Sequence, residues 1–281
     1  MKVSSKYSFV LGLVIAAMFI GCDGAIESNY TPQIVVQSFL YEGEGIDSVL
    51  LHYTTPYTKS YIDSEYAITG ADVKITVDGA DYPLLPIPNR KGRYYLPKST
   101  LTVHGGKAYT LKVIANGITA TAQTSVPLPI RITNRATAFP ADRILVLDTN
   151  DATTFSYTLT AGPVDNPHRL YMLQITSLDT TYGKIPTSNQ GPPVDTSAYV
   201  RYSFIQTAPN MIIYSRLFGW FGPNKIKFLA LDSNWVDYKR AVGYGDNAFL
   251  PFQPSLNHIN NGLGIFASAG WDSITVFLKP K

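Results

Sequence analysis

The chain of 281 residues holds one cysteine, Cys22, and four histidines, His52, His104, His168 and His258. A lone thiol excludes an internal disulfide and a thiolate metal cluster. No two histidines stand at metal-ligand spacing, so no metal is expected to be bound by them. Charge is also sparse: Asp, Glu, Lys and Arg make up 15% of the residues and the formal net charge is +3. Residues 1–21 carry Lys2 and Lys6 and no acid, so beyond them 21 basic residues face 20 acidic ones. A nearly neutral body argues against a polyanion surface spread over the chain, and no nucleic-acid partner is expected. There is no Gly-x-Ser-x-Gly elbow, no phosphate-binding loop and no dinucleotide fingerprint, so no cofactor is expected. There is no long amphipathic helix and no repeat period. What the chain does have is 45% hydrophobic residues, with 19 Tyr and 13 Phe. That is enough for a packed core and excludes wholesale disorder.

The N-terminus reads as an address and an anchor. Lys2 and Lys6 precede an apolar run from Phe9 to Ile20, and Gly21-Cys22 follows. This is the layout of a secretory signal, and the run is too short for a membrane helix, which needs roughly 20 apolar residues. Phe19-Ile20-Gly21-Cys22 resembles a bacterial lipobox, in which the cysteine is acylated and becomes the first residue. Residues 1–21 are therefore expected to be a lipoprotein signal peptide and residues 22–31 a small, polar tether. Acyl chains, at about 0.8 kcal/mol per buried methylene, would hold Cys22 on a membrane.

The rest is patterned as strands. Ile34–Leu40, Ser48–Tyr53, Val73–Val77 and Arg93–Leu96 are short β-rich runs punctuated by turn residues. Tyr109, Leu111 and Val113 alternate with polar residues, Asn116-Gly117 supplies a hairpin turn, and Ile118, Ala120 and Ala122 alternate on the way back. Six or seven short strands fit an immunoglobulin-like β-sandwich over residues 32–127. Val126-Pro127-Leu128-Pro129 then stiffens the chain and marks a boundary. Residues 128–281 read as a second, less regular β-rich domain. Its separate strand candidates include Lys225–Leu231, Leu263–Ala267 and Ile274–Leu278, and a short helix follows the capping run Asp232-Ser233-Asn234. The fold class is thus all-β, with two β-sandwich-type domains.

Chemistry is harder to find. Asp148-Thr149-Asn150-Asp151 resembles the opening of a calcium loop, but Thr153 stands where that loop needs glycine and Leu159 where it needs glutamate. A polar turn is the simpler reading. Asp232, Asp237, Asp246 and Asp272 lie near Trp235 and Trp271 and could supply paired carboxylates for sugar hydrolysis. No motif selects any two of them. Leu217-Phe218-Gly219-Trp220-Phe221-Gly222-Pro223 sets three aromatics among turn residues. Phe218, Trp220 and Phe221 are candidate ligand-binding residues if that loop is exposed, and core plugs if it folds back. Tyr57 and Tyr61, after Pro56, form a second candidate loop.

Two stretches carry a family resemblance. Ile34-Val35-Val36-Gln37-Ser38-Phe39-Leu40 comes shortly after the lipobox and leads to Val49-Leu50-Leu51, Thr54-Thr55-Pro56-Tyr57 and Ile68-Thr69-Gly70-Ala71-Asp72-Val73. Near the end, Phe228-Leu229-Ala230-Leu231-Asp232 leads through Ala248-Phe249-Leu250-Pro251-Phe252-Gln253-Pro254 to Ile259-Asn260-Asn261-Gly262-Leu263-Gly264-Ile265-Phe266. This order resembles the Bacteroidota lipoproteins of domain-of-unknown-function family 4249. The chain departs from the family pattern at Asn260-Asn261 and at Ala267. The resemblance implies a lipid-anchored outer-membrane protein, an accessory partner of a TonB-dependent nutrient receptor, and it brings no catalytic residue. The expectation is therefore a non-enzymatic binding protein with a glycan or peptide ligand. A surface glycan-binding or adhesion module is the alternative, and a carboxylate-based hydrolase is the third.

Overall fold

The computed structural model describes residues 30–56, 59–148, 155–164, 169–186, 200–241 and 257–281. In chain order the first half gives β1 (Ile34–Tyr41), β2 (Ile46–Tyr53), the one-turn helix α1 (Asp63–Tyr66), β3 (Asp72–Val77), β4 (Ala80–Pro83), β5 (Leu85–Pro86), β6 (Arg93–Leu96), β7 (Ala108–Ala115) and β8 (Ile118–Ser125). The second half gives β9 (Arg131–Ile132), β10 (Ile144–Leu147), β11 (Ser156–Gly162), β12 (Leu170–Ser177), β13 (Val200–Tyr202) and β14 (Asn210–Tyr214). It continues with β15 (Gly222–Leu231), α2 (Ser233–Ala241), β16 (Ile259–Asn260) and β17 (Gly262–Pro280).

The turn chemistry behaves as the residues dictate. Asp78-Gly79 and Asn116-Gly117 both adopt positive φ at the two central positions, as tight two-residue hairpins require. The β7–β8 hairpin pairs from Ala108↔Ser125 to Ala115↔Ile118 without a slip.

Two β-sandwiches result, both all-β, and both are built on one nine-stranded sheet. Its path is β13-β12-β15-β17-β1-β2-β6-β5, with β10 also pairing β17. Against it pack a five-stranded sheet, β16-β8-β7-β3-β4, and a three-stranded sheet, β14-β11-β9. The first core joins Ile34, Val36, Leu51 and Tyr94 to Val73, Tyr109, Leu111 and Ala120. The second joins Ile226, Phe228, Tyr171 and Ile274 to Leu159, Met211 and Ile213.

One difference from the sequence expectation organises the molecule. Leu263–Ala267 and Ile274–Leu278 are not separate strands but parts of the 19-residue β17. The intervening Ser268-Ala269-Gly270-Trp271-Asp272-Ser273 reads as a break because it lacks an apolar alternation. It stays extended because β17 changes partner there: residues 262–269 pair in parallel with β1, and residues 269–278 pair antiparallel with β15. Alternation along the strand then explains each residue. Phe266 enters the first core and Ile274, Val276 and Leu278 enter the second. Between them Gly270 lies against the linker, where an added Cβ would stand 2.4 Å from the Leu128 carbonyl oxygen. Nη2 of Arg135 donates to both carboxylate oxygens of Asp272 (2.7 Å each), and the Ile132 N–H donates to one of them (2.8 Å). Burial pushes this carboxyl up, but the bonds from Ile132, Arg135 and Ser273 outweigh it and hold Asp272 below the ordinary carboxylate range. The chain thus passes from one sandwich to the other at residues 126–130. The expected boundary between 127 and 128 therefore needs correcting at the far end: β16 and the first half of β17 complete the first sandwich, not the second.

Candidate binding face

The opposite face of the nine-stranded sheet carries the candidate site. On β17 the residues facing this way are Ile265, Ala267 and Ala269, then Trp271, Ser273 and Thr275. The first three are small or apolar because α2 lies over them. Trp235 and Val236 of α2 pack with Leu229, Leu231, Met172 and Ile265 in a third apolar cluster. The Trp235 ring sits 4.5 Å from Phe39 and 6.1 Å from Tyr41.

Past the helix the same face turns polar in register. Antiparallel partners share a face, so Tyr202, Gln174, Lys227 and Ser273 form one row across β13, β12, β15 and β17. Thr176, Lys225 and Thr275 form the next row. The Lys227 ammonium stands 4.4 Å from the Trp271 ring centre and 4.6 Å from that of Tyr41. Lys225 stands 5.2 Å from Trp271, and Lys239 of α2 stands 5.2 Å from Tyr202. Trp271 is fixed by its indole N–H, which donates to the Glu42 carbonyl at 2.8 Å. Each ammonium over a ring gains about 0.5–2 kcal/mol, the more so where water is excluded.

The electrostatics are those of a cationic patch that is only partly solvated. Burial lowers the Lys227 pKa, Lys225 beside it lowers it further, and Glu44 and Asp47 oppose the change. Burial likewise lowers Lys239. Tyr41 is pushed well above the ordinary phenol value by burial, with Tyr202 and Asp47 adding to it, so its hydroxyl stays a neutral donor. Among the described residues neither Lys225 nor Lys227 is paired with a carboxylate. The face therefore offers two adjacent ammonium groups held by rings, with Glu44 and Asp47 near enough to act on Lys227 but, among the described residues, not paired with it.

The structure places the sequence-derived candidates elsewhere. Phe218 and Phe221 are buried in the second core, with Phe218 edge-on to Phe155 at 5.9 Å. The ligand-binding reading is corrected for these two, which take the core-plug alternative: both rings pack in the second core. Trp220 is half-buried beneath Lys184, whose ammonium lies 5.2 Å from its ring centre. Tyr61 is exposed, yet it stacks on Tyr66 (5.9 Å, 15°), and its hydroxyl meets His52 Nδ1 at 2.5 Å and donates to Asp63 at 3.0 Å. Tyr61 thereby straps its loop to β2. Cys22 and Tyr57 lie outside the described residues, as do residues 149–151 of the calcium-like turn, while Asp148 accepts a bond from Lys281 at 2.8 Å. Of the acids near tryptophan, Asp272 is taken by Arg135, Asp237 meets His258 at 2.9 Å, and Asp232 caps α2. Asp246 is outside the described residues.

Lys225, Lys227, Tyr41 and Tyr202 were missed from the sequence, and Trp271 was marked only as a neighbour of candidate carboxylates. One signal was present: Lys225-x-Lys227 in a strand places two cations on one face. Which rings would flank them depended on register across β1, β15 and β17, which single runs do not reveal.

Comparison with solved structures returns remote likeness. A 1.5-MDa bacterial ice-binding adhesin matches at 10% identity over 90% of this chain and 67% of that one, with a TM-score of 0.23. A calcium-stabilised adhesin with which an Antarctic bacterium binds ice matches at 10% identity over 90% of this chain and 50% of that one, TM-score 0.23. The FN1–FN3 domains of chicken CNTN1 match at 10% identity over 89% of this chain and 66% of that one, TM-score 0.19. Likeness this distant carries no argument about function. No match was found among curated proteins. The family described as domain of unknown function (DUF4249) matches from residue 23 to residue 275, through both sandwiches and the face between Tyr41 and Trp271, and the chain belongs to that family.

Proposed function

We propose that this protein is a lipid-anchored, non-enzymatic binding component of the outer membrane, an accessory partner of a TonB-dependent nutrient receptor. The observation that carries the binding part is the sheet face on which Lys225 and Lys227 stand over Trp271 and Tyr41 without, among the described residues, a paired carboxylate. Two ammonium groups already occupy the Trp271 ring, so a neutral sugar would have to displace them. An acidic protein surface would instead complete them, which favours a protein partner over glycan capture. The anchor at Cys22 and the receptor come from the lipobox and the family resemblance.

A gentle detergent pull-down of the tagged protein from its native membrane, read by mass spectrometry, tests this. A TonB-dependent receptor is expected in stoichiometric amount. Lys225→Glu with Lys227→Glu is expected to lose it, because reversing charges at an interface typically costs about 2–5 kcal/mol, or thirtyfold and more in affinity. Both side chains are only half-buried, so the fold should survive. Recovery of the lipoprotein alone, together with binding to a glycan array, would replace this reading with surface glycan capture.

A further inference from the structure

The tethered end of the first sandwich carries a second cationic feature. A notch of about 350 Å³ lies between the β5–β6 turn and the residues leading into β3. Its lining includes Arg90, Lys91 and Arg93 beside the apolar Pro86 and Ile87, and no carboxylate. Arg90 and Lys91 are exposed and, among the described residues, lack an acidic partner, while Arg93 reaches Ser48 at 3.3 Å. Asp63 and Glu65 share this end but sit on α1 and do not line the notch. Cations over an apolar floor fit an amphipathic anion.

Where the notch sits follows from strand register. The described residues begin at Tyr30, whose hydroxyl meets Thr54 at 2.6 Å just past the end of β2. Val36 of β1 pairs Leu51 of β2, and the Leu51 N–H donates to the Gly92 carbonyl at 2.8 Å. The notch is therefore two strand spacings from β1 and about three residues along β2 from Thr54, roughly 10 Å in each direction. From Cys22 to Tyr30 is eight residues, which reach at most about 29 Å. An anchor at Cys22 would keep this end, and not the far sandwich, within reach of the bilayer.

We propose that the Arg90–Lys91–Arg93 notch seats the phosphate of an anionic phospholipid headgroup of the anchoring membrane, so that the molecule stands on its first sandwich and leaves Lys225 and Lys227, which pair with the second half of β17, clear of the bilayer. The inference rests on the lipid-anchor reading. Its test uses the acylated protein reconstituted into bilayers of phosphatidylglycerol or of phosphatidylcholine, with lysine acetylation rates read by mass spectrometry. Lys91 is expected to react roughly tenfold more slowly in phosphatidylglycerol, Lys225 equally in both, and Arg90→Gln should remove the Lys91 protection. Equal Lys91 rates in an acylated, bilayer-bound protein would overturn the headgroup site and leave the anchor standing. Protection by inorganic phosphate alone in phosphatidylcholine would overturn the lipid as its source. A mass without acyl groups would remove the anchor and this inference together.

Discussion

Gly264→Val is expected to abolish folding, giving insoluble protein or a chain without a cooperative thermal transition. Two independent constraints meet at this residue. Its φ is +110°, in the left-handed region that glycine alone enters readily. An added Cβ would also stand 2.0 Å from the Val36 carbonyl oxygen and 3.0 Å from the Val36 carbonyl carbon and nitrogen. Those are backbone atoms of β1 at the matching register position, so no rotamer change relieves the clash. The parallel β1–β17 pairing would have to open. That pairing joins the two halves of the nine-stranded sheet, so its loss reaches both cores. Effects beyond about 4–5 kcal/mol are exceptional for single substitutions, and this one combines backbone strain with loss of strand pairing. Gly264→Ala meets the same Cβ contact and should also fail, whereas Gly43→Ala, at φ +77° with open space around it, should lose only about 1 kcal/mol. A Gly264→Val protein with an unchanged melting temperature would contradict the close approach.

Local features of the fold were legible in the sequence, and features set by long-range pairing were not. Asn116-Gly117 and Asp78-Gly79 were legible because hairpin turns are set by two residues. The run Arg93–Leu96 was legible as a strand between turn signals, and Asp232-Ser233-Asn234 as a helix start. Gly264, a glycine inside a β-rich run, is a local signal of close approach, and the neighbour it admits is backbone. What escaped was everything settled by partners distant in sequence. A 19-residue strand with a polar middle looks like two strands until β1 and β15 are known to share it. Phe218, Trp220 and Phe221 look alike in a glycine-rich segment, yet two are buried and one is half-buried. The binding face needed Tyr41 and Lys227, 186 positions apart, brought to 4.6 Å.

Asp232→Ala is expected to lower stability by about 3 kcal/mol, a fall of roughly 10 °C in melting temperature. Asp232 ties three elements. One carboxylate oxygen accepts the Trp235 N–H at 3.0 Å and so caps α2, and the other accepts the Thr124 hydroxyl of β8 at 2.5 Å. Thr124 in turn meets Ser268 of β17 at 2.7 Å. With alanine the two hydroxyls keep each other, but the buried Trp235 N–H loses its acceptor and α2 loses its cap above the third cluster. Asp232→Asn preserves the carbonyl acceptor, and the amide can donate to either hydroxyl, so it should cost well under half as much.

The asparagine variant also isolates a pH effect whose sign is unusual for a carboxylate. Burial pushes Asp232 above its ordinary value, against the bonds from Thr124, Trp235 and Ser268. An acid whose folded pKa is raised favours the fold in its protonated form. Its contribution is fully present below the unfolded value of about 3.9 and is lost as pH rises through the folded one. Asp272, held low, does the opposite: its contribution is present above that unfolded value and is lost as pH falls through its depressed folded one. The two oppose each other in the wild-type profile, so only a difference separates them. Urea midpoints of wild type minus Asp232→Asn, measured from pH 3 upward, should decline across that window and then level off. A flat difference would mean that the bonds to Thr124 and Trp235, rather than burial, govern the Asp232 carboxyl.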